Sequence, residues 1–272
     1  MTDGSDLGTF SRLVRALDPW LDRVVIIGGW AHRLYRLHPH AQALDYVPLS
    51  TLDADIALPA ELPPATPSIR DGLLAVGFTE EFLGDDQPPA TRYSLGDEAS
   101  GFYAEFVTPL VGGAYDRRSK RKATVRVAGV TSQQLRHIDL LLIDPWVVDF
   151  DLTGGVEERK KVQIANPTCF LAQKFLIHSK RSREDRARDV LYVHDTLELF
   201  GGSLEELRAE WQTRIAPRLH RNRAQVVLKA PNRLFSEITD AIRGAAIVAA
   251  GRGLTPEAVR EACQFGLQQL FA

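Results

Sequence analysis

The chain has 272 residues, 44% hydrophobic and 25% charged, with a formal net charge of −2; this balance belongs to a globular protein with a sizeable core and excludes disordered and fibrous classes. No uninterrupted apolar run approaches the roughly 20 residues that span a bilayer, and the acidic start Met1-Thr2-Asp3-Gly4-Ser5-Asp6 lacks a secretory pattern, so a cytoplasmic protein without a membrane partner is expected. Cys169 and Cys263 lie in separate segments without ligand spacing, which excludes a disulfide framework or zinc site and predicts two buried thiols.

Phe10, Leu13, Val14 and Leu17 recur at helical spacing until Asp18-Pro19 ends the pattern, predicting an amphipathic helix over one sheet face. The run Val24-Val25-Ile26-Ile27 predicts a buried strand. Gly28-Gly29 after it permits a turn in which backbone N–H groups approach an anion, ahead of a helix starting near Trp30. An inserted loop containing His38-Pro39-His40 follows. In the next strand, 53–58, period-two alternation sends Asp53 and Asp55 to one face and Ala54 and Ile56 to the other. Carboxylates this close raise each other's pKa unless a cation lies between them. Hard oxygen donors suit Mg²⁺ or Mn²⁺, with the phosphates of a nucleoside triphosphate (NTP) as further ligands.

Pro63 to Pro67 forms a loop that delivers a helix over 68–76, stopped by Gly77. The turn Gly84 to Pro89 leads to an alternating strand over 91–95, and Gly101 introduces another over 102–107. Glu is depleted in strands, so Glu105 among Ala104, Phe106 and Val107 is either solvent-facing on an edge or a third ligand to the ion on Asp53 and Asp55. The densest basic run, Arg117-Arg118-Ser119-Lys120-Arg121-Lys122, is either a solvated loop or a contact to an RNA backbone, without interleaved aromatic residues to stack on bases. Trp146 to Leu152 is expected to pair with Lys160 to Ala165 across the Gly154-Gly155 turn, as a hinge between two halves. Of 33 basic and 35 acidic residues, 14 and 20 fall in 1–150, net −6, leaving 19 and 15, net +4, for the rest. A basic second half suits a phosphate-rich partner or is an ordinary solvated surface.

Asn166-Pro167 reads as N-cap and first residue of a helix through about Lys180. On it Phe170, Lys174, Ile177, His178 and Arg181 share one face. Lys174 is either a lysine whose stem covers apolar surface or a cation that holds a triphosphate; His178 is expected to pack or face solvent, and Arg181 is a candidate phosphate contact. Asp185 is expected to cap a helix bearing Arg188, Asp189 and Tyr192, and Ser203-Leu204-Glu205-Glu206 reads as a capping box. Arg214, Arg218 and Arg221, with Arg223 and Lys229, make a basic ridge kinked or divided at Pro217, which is a solvated surface or a second RNA-facing one. Thr255-Pro256-Glu257 starts a last helix packed through Val259, Cys263, Leu267 and Leu270.

Gly28-Gly29 after a strand, followed by Asp53-x-Asp55 on the next, resembles the polymerase-β-type nucleotidyltransferase superfamily, particularly its abortive-infection toxin-like branch. The interval 30–52 between the two motifs is longer than is usual there. Lys174-Phe175-Leu176 and Arg188-Asp189 resemble a motif pair that the branch carries on successive helices. The resemblance, over 24–58, 102–107 and 166–192, implies an α+β fold: a mixed sheet with flanking helices in 1–150 and a mainly helical domain in 151–272. It implies that Asp53, Asp55 and Glu105 bind Mg²⁺ or Mn²⁺ and that Glu105 activates the attacking group. Gly28 and Gly29 would contact phosphates, and Lys174, oriented by Asp189, would hold the triphosphate with Arg181. The implied activity is metal-dependent transfer of a nucleotidyl group from an NTP to a tRNA-like RNA or a protein hydroxyl, by a toxin with a cognate antitoxin partner. A small-molecule, antibiotic-type nucleotidyltransferase and a non-catalytic nucleotide-binding relative remain as alternatives.

Overall fold

The computed structural model describes residues 3–96, 101–113, 115, 123–152 and 158–272. The chain forms two compact units, Met1–Leu37 with Leu49–Ala165, and His38–Pro48 with Asn166–Ala272. The sequence-based division at 150 differs from this one, because the strands around that position belong to the first unit's sheet.

The first unit runs α1 (Asp3–Ala16), β1 (Val25–Ile27), α2 (Gly28–Leu34), β2 (Asp53–Ala57), α3 (Ile69–Ala75), β3 (Thr79–Leu83), β4 (Ala90–Leu95) and β5 (Phe102–Pro109), then β6 (Thr124–Val127), β7 (Val130–Leu135), α4 (Ile138–Leu141), β8 (Trp146–Asp151) and β9 (Arg159–Ile164). Among the described residues nine strands make one mixed sheet in the order β3-β4-β5-β2-β1-β9-β8, with β7 joining β5 and β6 joining β7. β2 and β7 run parallel to β5, and β9 parallel to β1; the remaining pairs are antiparallel. Phe10, Leu13, Val14 and Leu17 are all buried, as the helical spacing predicts. The Phe10 ring stacks on Trp30 at 4.0 Å and meets Phe150 edge-on at 5.2 Å, so α1 is tied to both α2 and the sheet. Along β8, Trp146, Val148 and Phe150 are buried while the alternate residues are exposed, and the hairpin pairs Trp146 with Ile164 in the expected manner. The Gly154-Gly155 turn and the basic run 117–122 lie outside the described residues.

Three strands escaped the sequence reading. β3 carries two glutamates, but Glu80 accepts bonds of 2.8–3.1 Å from Arg70 and one of 2.8 Å from the Tyr93 hydroxyl, partners no local window reveals. β6 and β7 meet at a two-residue turn in which Ala128 and Gly129 both have positive φ, 49° and 90°. That backbone suits a tight hairpin, although Ala-Gly lacks the usual Asn-Gly signature.

The second unit contains α5 (Pro167–Ile177), α6 (Arg183–Leu199), α7 (Leu204–Glu210), α8 (Arg221–Leu234), α9 (Asp240–Val248) and α10 (Pro256–Leu270). Asn166 and Thr255 cap α5 and α10 as expected, and both cysteines are buried thiols. α6, by contrast, is capped by Ser182, whose hydroxyl accepts the Asp185 N–H at 3.1 Å, so Asp185 lies inside the first turn. Ser203 caps nothing: it ends a 3₁₀ turn, and no capping box forms on α7. α5 ends at Ile177 and continues as a 3₁₀ turn to Lys180. The basic ridge is divided, with Arg214 in a π-helical turn, Arg218 in a 3₁₀ turn and Arg221 opening α8. Among the described residues, no helix is long and apolar enough to cross a membrane.

Glu80 is held below its ordinary 4.5, chiefly by hydrogen bonds from Arg70. A depressed folded-state pKa means that the stabilisation is complete above the unfolded value and is lost as pH falls through the folded one. Glu80→Gln is therefore expected to lower Tm at neutral pH, by a few degrees at most because Arg70 is well exposed. The gap to the wild type should close in acid, as thermal melts on either side of pH 4.5 would show.

Candidate functional site

The parallel pairing of β2 with β5 sets Asp53 opposite Tyr103 and Asp55 opposite Glu105. Residues in register point to the same side of a sheet. Asp53, Asp55, Tyr103 and Glu105 thus share one half-buried face, while Ala54, Ile56, Ala104 and Phe106 fill the opposite layer at no more than 1% exposure. On the other edge of β2, Ile27 pairs with Asp55 and the chain turns at Gly28 with φ of +65°. A Cβ built there would lie 2.6 Å from Asp55 Oδ2. Only glycine, which tolerates this left-handed backbone and has no side chain, brings the main chain so close to the carboxylate. α2 starts at this glycine and is seven residues long.

Two residues absent from the sequence reading complete the face. Arg92 on β4 sits opposite Glu105, donates from Nε to its Oε1 at 2.9 Å, places Nη2 2.8 Å from the same oxygen, and lies 4.2 Å over the Tyr103 ring. Oε2 of Glu105 accepts no hydrogen bond among the described residues. The Tyr103 phenol is pushed up from its ordinary value, first by burial, then by Asp53 and Glu105, with Asp55 adding to them and Arg92 opposing. All three acids therefore act on one phenol. The Thr51 hydroxyl donates to Asp53 Oδ1. The signal for Tyr103 was present in the sequence, since the alternation that couples Asp53 with Asp55 also couples Tyr103 with Glu105. Carboxylate oxygens in this number, beside backbone that only glycine permits, fit a hard divalent cation.

In the helical unit, Asp189 is 3% exposed and binds two cations, Lys174 Nζ at 2.6 Å on Oδ1 and Arg181 Nε at 3.1 Å on Oδ2. Lys174 is also buried, with Nζ 5.1 Å from the Phe170 and Tyr192 rings. Its charge is balanced by the carboxylate and by two ring faces. Arg188, the neighbour of Asp189, is exposed. His178 is half-buried with its pKa lowered, first by burial and then by Arg186.

A further cluster, also absent from the sequence reading, gathers His194, Asp195 and Glu198 with donor atoms within 4.8 Å of one another. Asp53, Asp55 and Glu105 are not drawn together that tightly. In the His194 cluster a guanidinium already fills the cation's place: Arg252 Nη1 lies 2.8 Å from both Asp195 oxygens.

Two substitutions test these arrangements. Gly28→Ala should destabilise the protein by about 1–2 kcal/mol from left-handed backbone strain alone, measured by urea denaturation. Lys174→Met leaves a buried carboxylate with Arg181 as its remaining cation and should cost about 2–4 kcal/mol in the same assay.

A family model described as Nucleotidyltransferase matches residues 5–216, a span that includes both the strand face and the Lys174–Asp189 pair. No curated protein and no solved structure matches the chain.

Proposed function

Because the chain belongs to the nucleotidyltransferase family, whose members transfer nucleotidyl groups, we propose that it moves a nucleotidyl group from an NTP to a hydroxyl of a tRNA-like RNA or a protein, in a metal-dependent reaction. The observation that carries the proposal is the register that lines up Asp53, Asp55 and Glu105 on one face beside Gly28. Asp53 and Asp55 would hold the cation, with Glu105 Oε2 completing the donor set and orienting the attacking hydroxyl. Mg²⁺ or Mn²⁺ held there supplies positive charge to the transferred phosphorus and the departing pyrophosphate. Backbone N–H groups at Gly28 and Gly29 are assigned to the phosphates. Arg92, fixed by Glu105 and Tyr103, keeps the third carboxylate from swinging away. Lys174 and Arg181, both oriented by Asp189, are assigned to the triphosphate.

The acceptor is inferred from charge. Arg214, Arg218, Arg221 and Lys229 are exposed cations that suit an RNA backbone. The Lys174-Phe175-Leu176 and Arg188-Asp189 motifs support the toxin-like branch, and with it a cytoplasmic toxin and a cognate antitoxin.

Incubation with labelled NTPs, Mg²⁺ and total tRNA, beside protein acceptors and a small-molecule panel, tests this reading. Label is expected in RNA or protein, and Asp53→Asn should lower the rate by about 10²-fold or more. Label in small molecules alone would overturn the acceptor, and full activity in Asp53→Asn would overturn the chemistry.

A further inference from the structure

Several tyrosine hydroxyls of this protein are tied down: Tyr35 donates to the Ala165 carbonyl at 2.8 Å, Tyr46 to Glu198 at 2.6 Å and Tyr93 to Glu80 at 2.8 Å. Tyr103 differs. It is half-buried, and its hydroxyl has no hydrogen-bond partner among the described residues. Its surroundings are those of the candidate transfer site, for the register sets it against Asp53 on β2 and two residues before Glu105 on the same face. Asp53, Glu105 and Asp55 all act on its phenol. Side chains leave a strand roughly perpendicular to the sheet, and a phenol reaches further than a carboxylate, so the hydroxyl stands on the solvent side of the three acids. Arg92 lies 4.2 Å over the ring while it binds Glu105 Oε1, so one guanidinium positions both side chains. Other hydroxyls of this face are less suitably placed. That of Thr51 is committed to Asp53 Oδ1, and Ser94, opposite Tyr103 on β4, is one strand farther from the aspartates.

We propose that Tyr103 is an internal acceptor: when no outside hydroxyl occupies the site, the protein transfers a nucleotidyl group from an NTP to its own phenol. This rests on the transfer reaction proposed above and adds to it a modification site within the chain. The phenolic oxygen bonds to the α-phosphorus, the bond from that phosphorus to the bridging oxygen breaks, and pyrophosphate leaves with the electron pair. The phenolic proton passes to Glu105 Oε2, which accepts no hydrogen bond among the described residues, and from there to water. The product is a tyrosine phosphodiester. A tethered hydroxyl competes well with a free one because it is already positioned. The adduct also arrests the protein: its phosphodiester anion stands against Asp53, Asp55 and Glu105, and its nucleoside fills the space that the next NTP needs.

Intact-mass spectrometry of the full chain, after incubation with NTPs and Mg²⁺ and no outside acceptor, tests the site. The wild type should gain a single nucleotidyl group, mapped to Tyr103 by fragmentation, at a rate per chain that dilution does not change. Treatment with a phosphodiesterase should restore both the original mass and transfer to outside acceptors. Tyr103→Phe, which keeps the ring under Arg92, should gain no mass, and Asp53→Asn should gain none even when mixed with the wild type. Mapping in the wild type decides the site even if a variant folds poorly. An adduct on Thr51 or Ser94, an adduct undiminished in Tyr103→Phe, or label on Asp53→Asn chains would overturn the proposal. Label in RNA or protein acceptors with Tyr103 unmodified would refute the internal acceptor and keep the transfer reading. An adduct on Tyr103 with no outside acceptor labelled would keep the internal acceptor and refute the RNA or protein one, and a chain that labels nothing would refute both.

Discussion

The pairing of β2 with β5 is the constraint on which the strand face depends. A slip of one residue would carry Tyr103 and Glu105 into the layer now filled by Ala104 and Phe106, and would set Ala104 or Phe106 opposite Asp55 in place of the carboxylate. Several contacts oppose such a slip. β4 and β7 occupy successive stretches of the other edge of β5, Phe102 packs edge-on to Trp30 at 5.8 Å, and Arg92 ties Glu105 to the next strand. The apolar layer therefore aligns the polar one. Acidic side chains that repel each other are held in a row by packing on the reverse side of the sheet.

The helical unit handles buried charge differently. Asp189 and Asp195 are both deep inside α6, and each is met by more than one donor: Lys174 and Arg181 in one case, Arg252 and His194 in the other. A buried carboxylate is tolerable only when such partners replace its water. The two networks differ in what surrounds them. Around Asp195 the charges close on themselves, with Arg252 lying 3.8 Å over the Tyr46 ring and the Tyr46 hydroxyl donating to Glu198 at 2.6 Å. Around Asp189 the network runs outward instead, from Lys174 on one oxygen and Arg181 on the other to Asp185, which is 3.5 Å from Arg181.

Short-range patterns carried much of this into the sequence. Alternation put Asp53 and Asp55 on one face, and the improbability of a charge in an apolar strand drew notice to Glu105. Helical spacing identified α1 and α10, and the isolated lysine on an apolar helix face singled out Lys174. What could not be read was pairing across distance. Arg92 is an ordinary strand arginine until the register sets it against Glu105, and β3 is an unlikely strand until Arg70 and Tyr93 neutralise Glu80. Ser182 and Asp185 are both good capping residues. The choice falls to Ser182 because its backbone is extended, at φ −61° and ψ 170°, while Asp185 turns with the helix and meets Arg181 at 3.5 Å.

The segment His38–Pro48 gives the protein an unusual thread. It interrupts the first unit between α2 and β2, yet its partners are in the second: Gln42 N–H donates to the Leu199 carbonyl at 2.9 Å, and Arg252 reaches the Val47 carbonyl at 3.4 Å. The backbone passes from one unit to the other at 37/38, 48/49 and 165/166. Cleavage at any one of these points cannot yield two complete halves. During synthesis the sheet's residues emerge first, and the loop joining its two central strands waits unattached until the ribosome has added the helices that receive it.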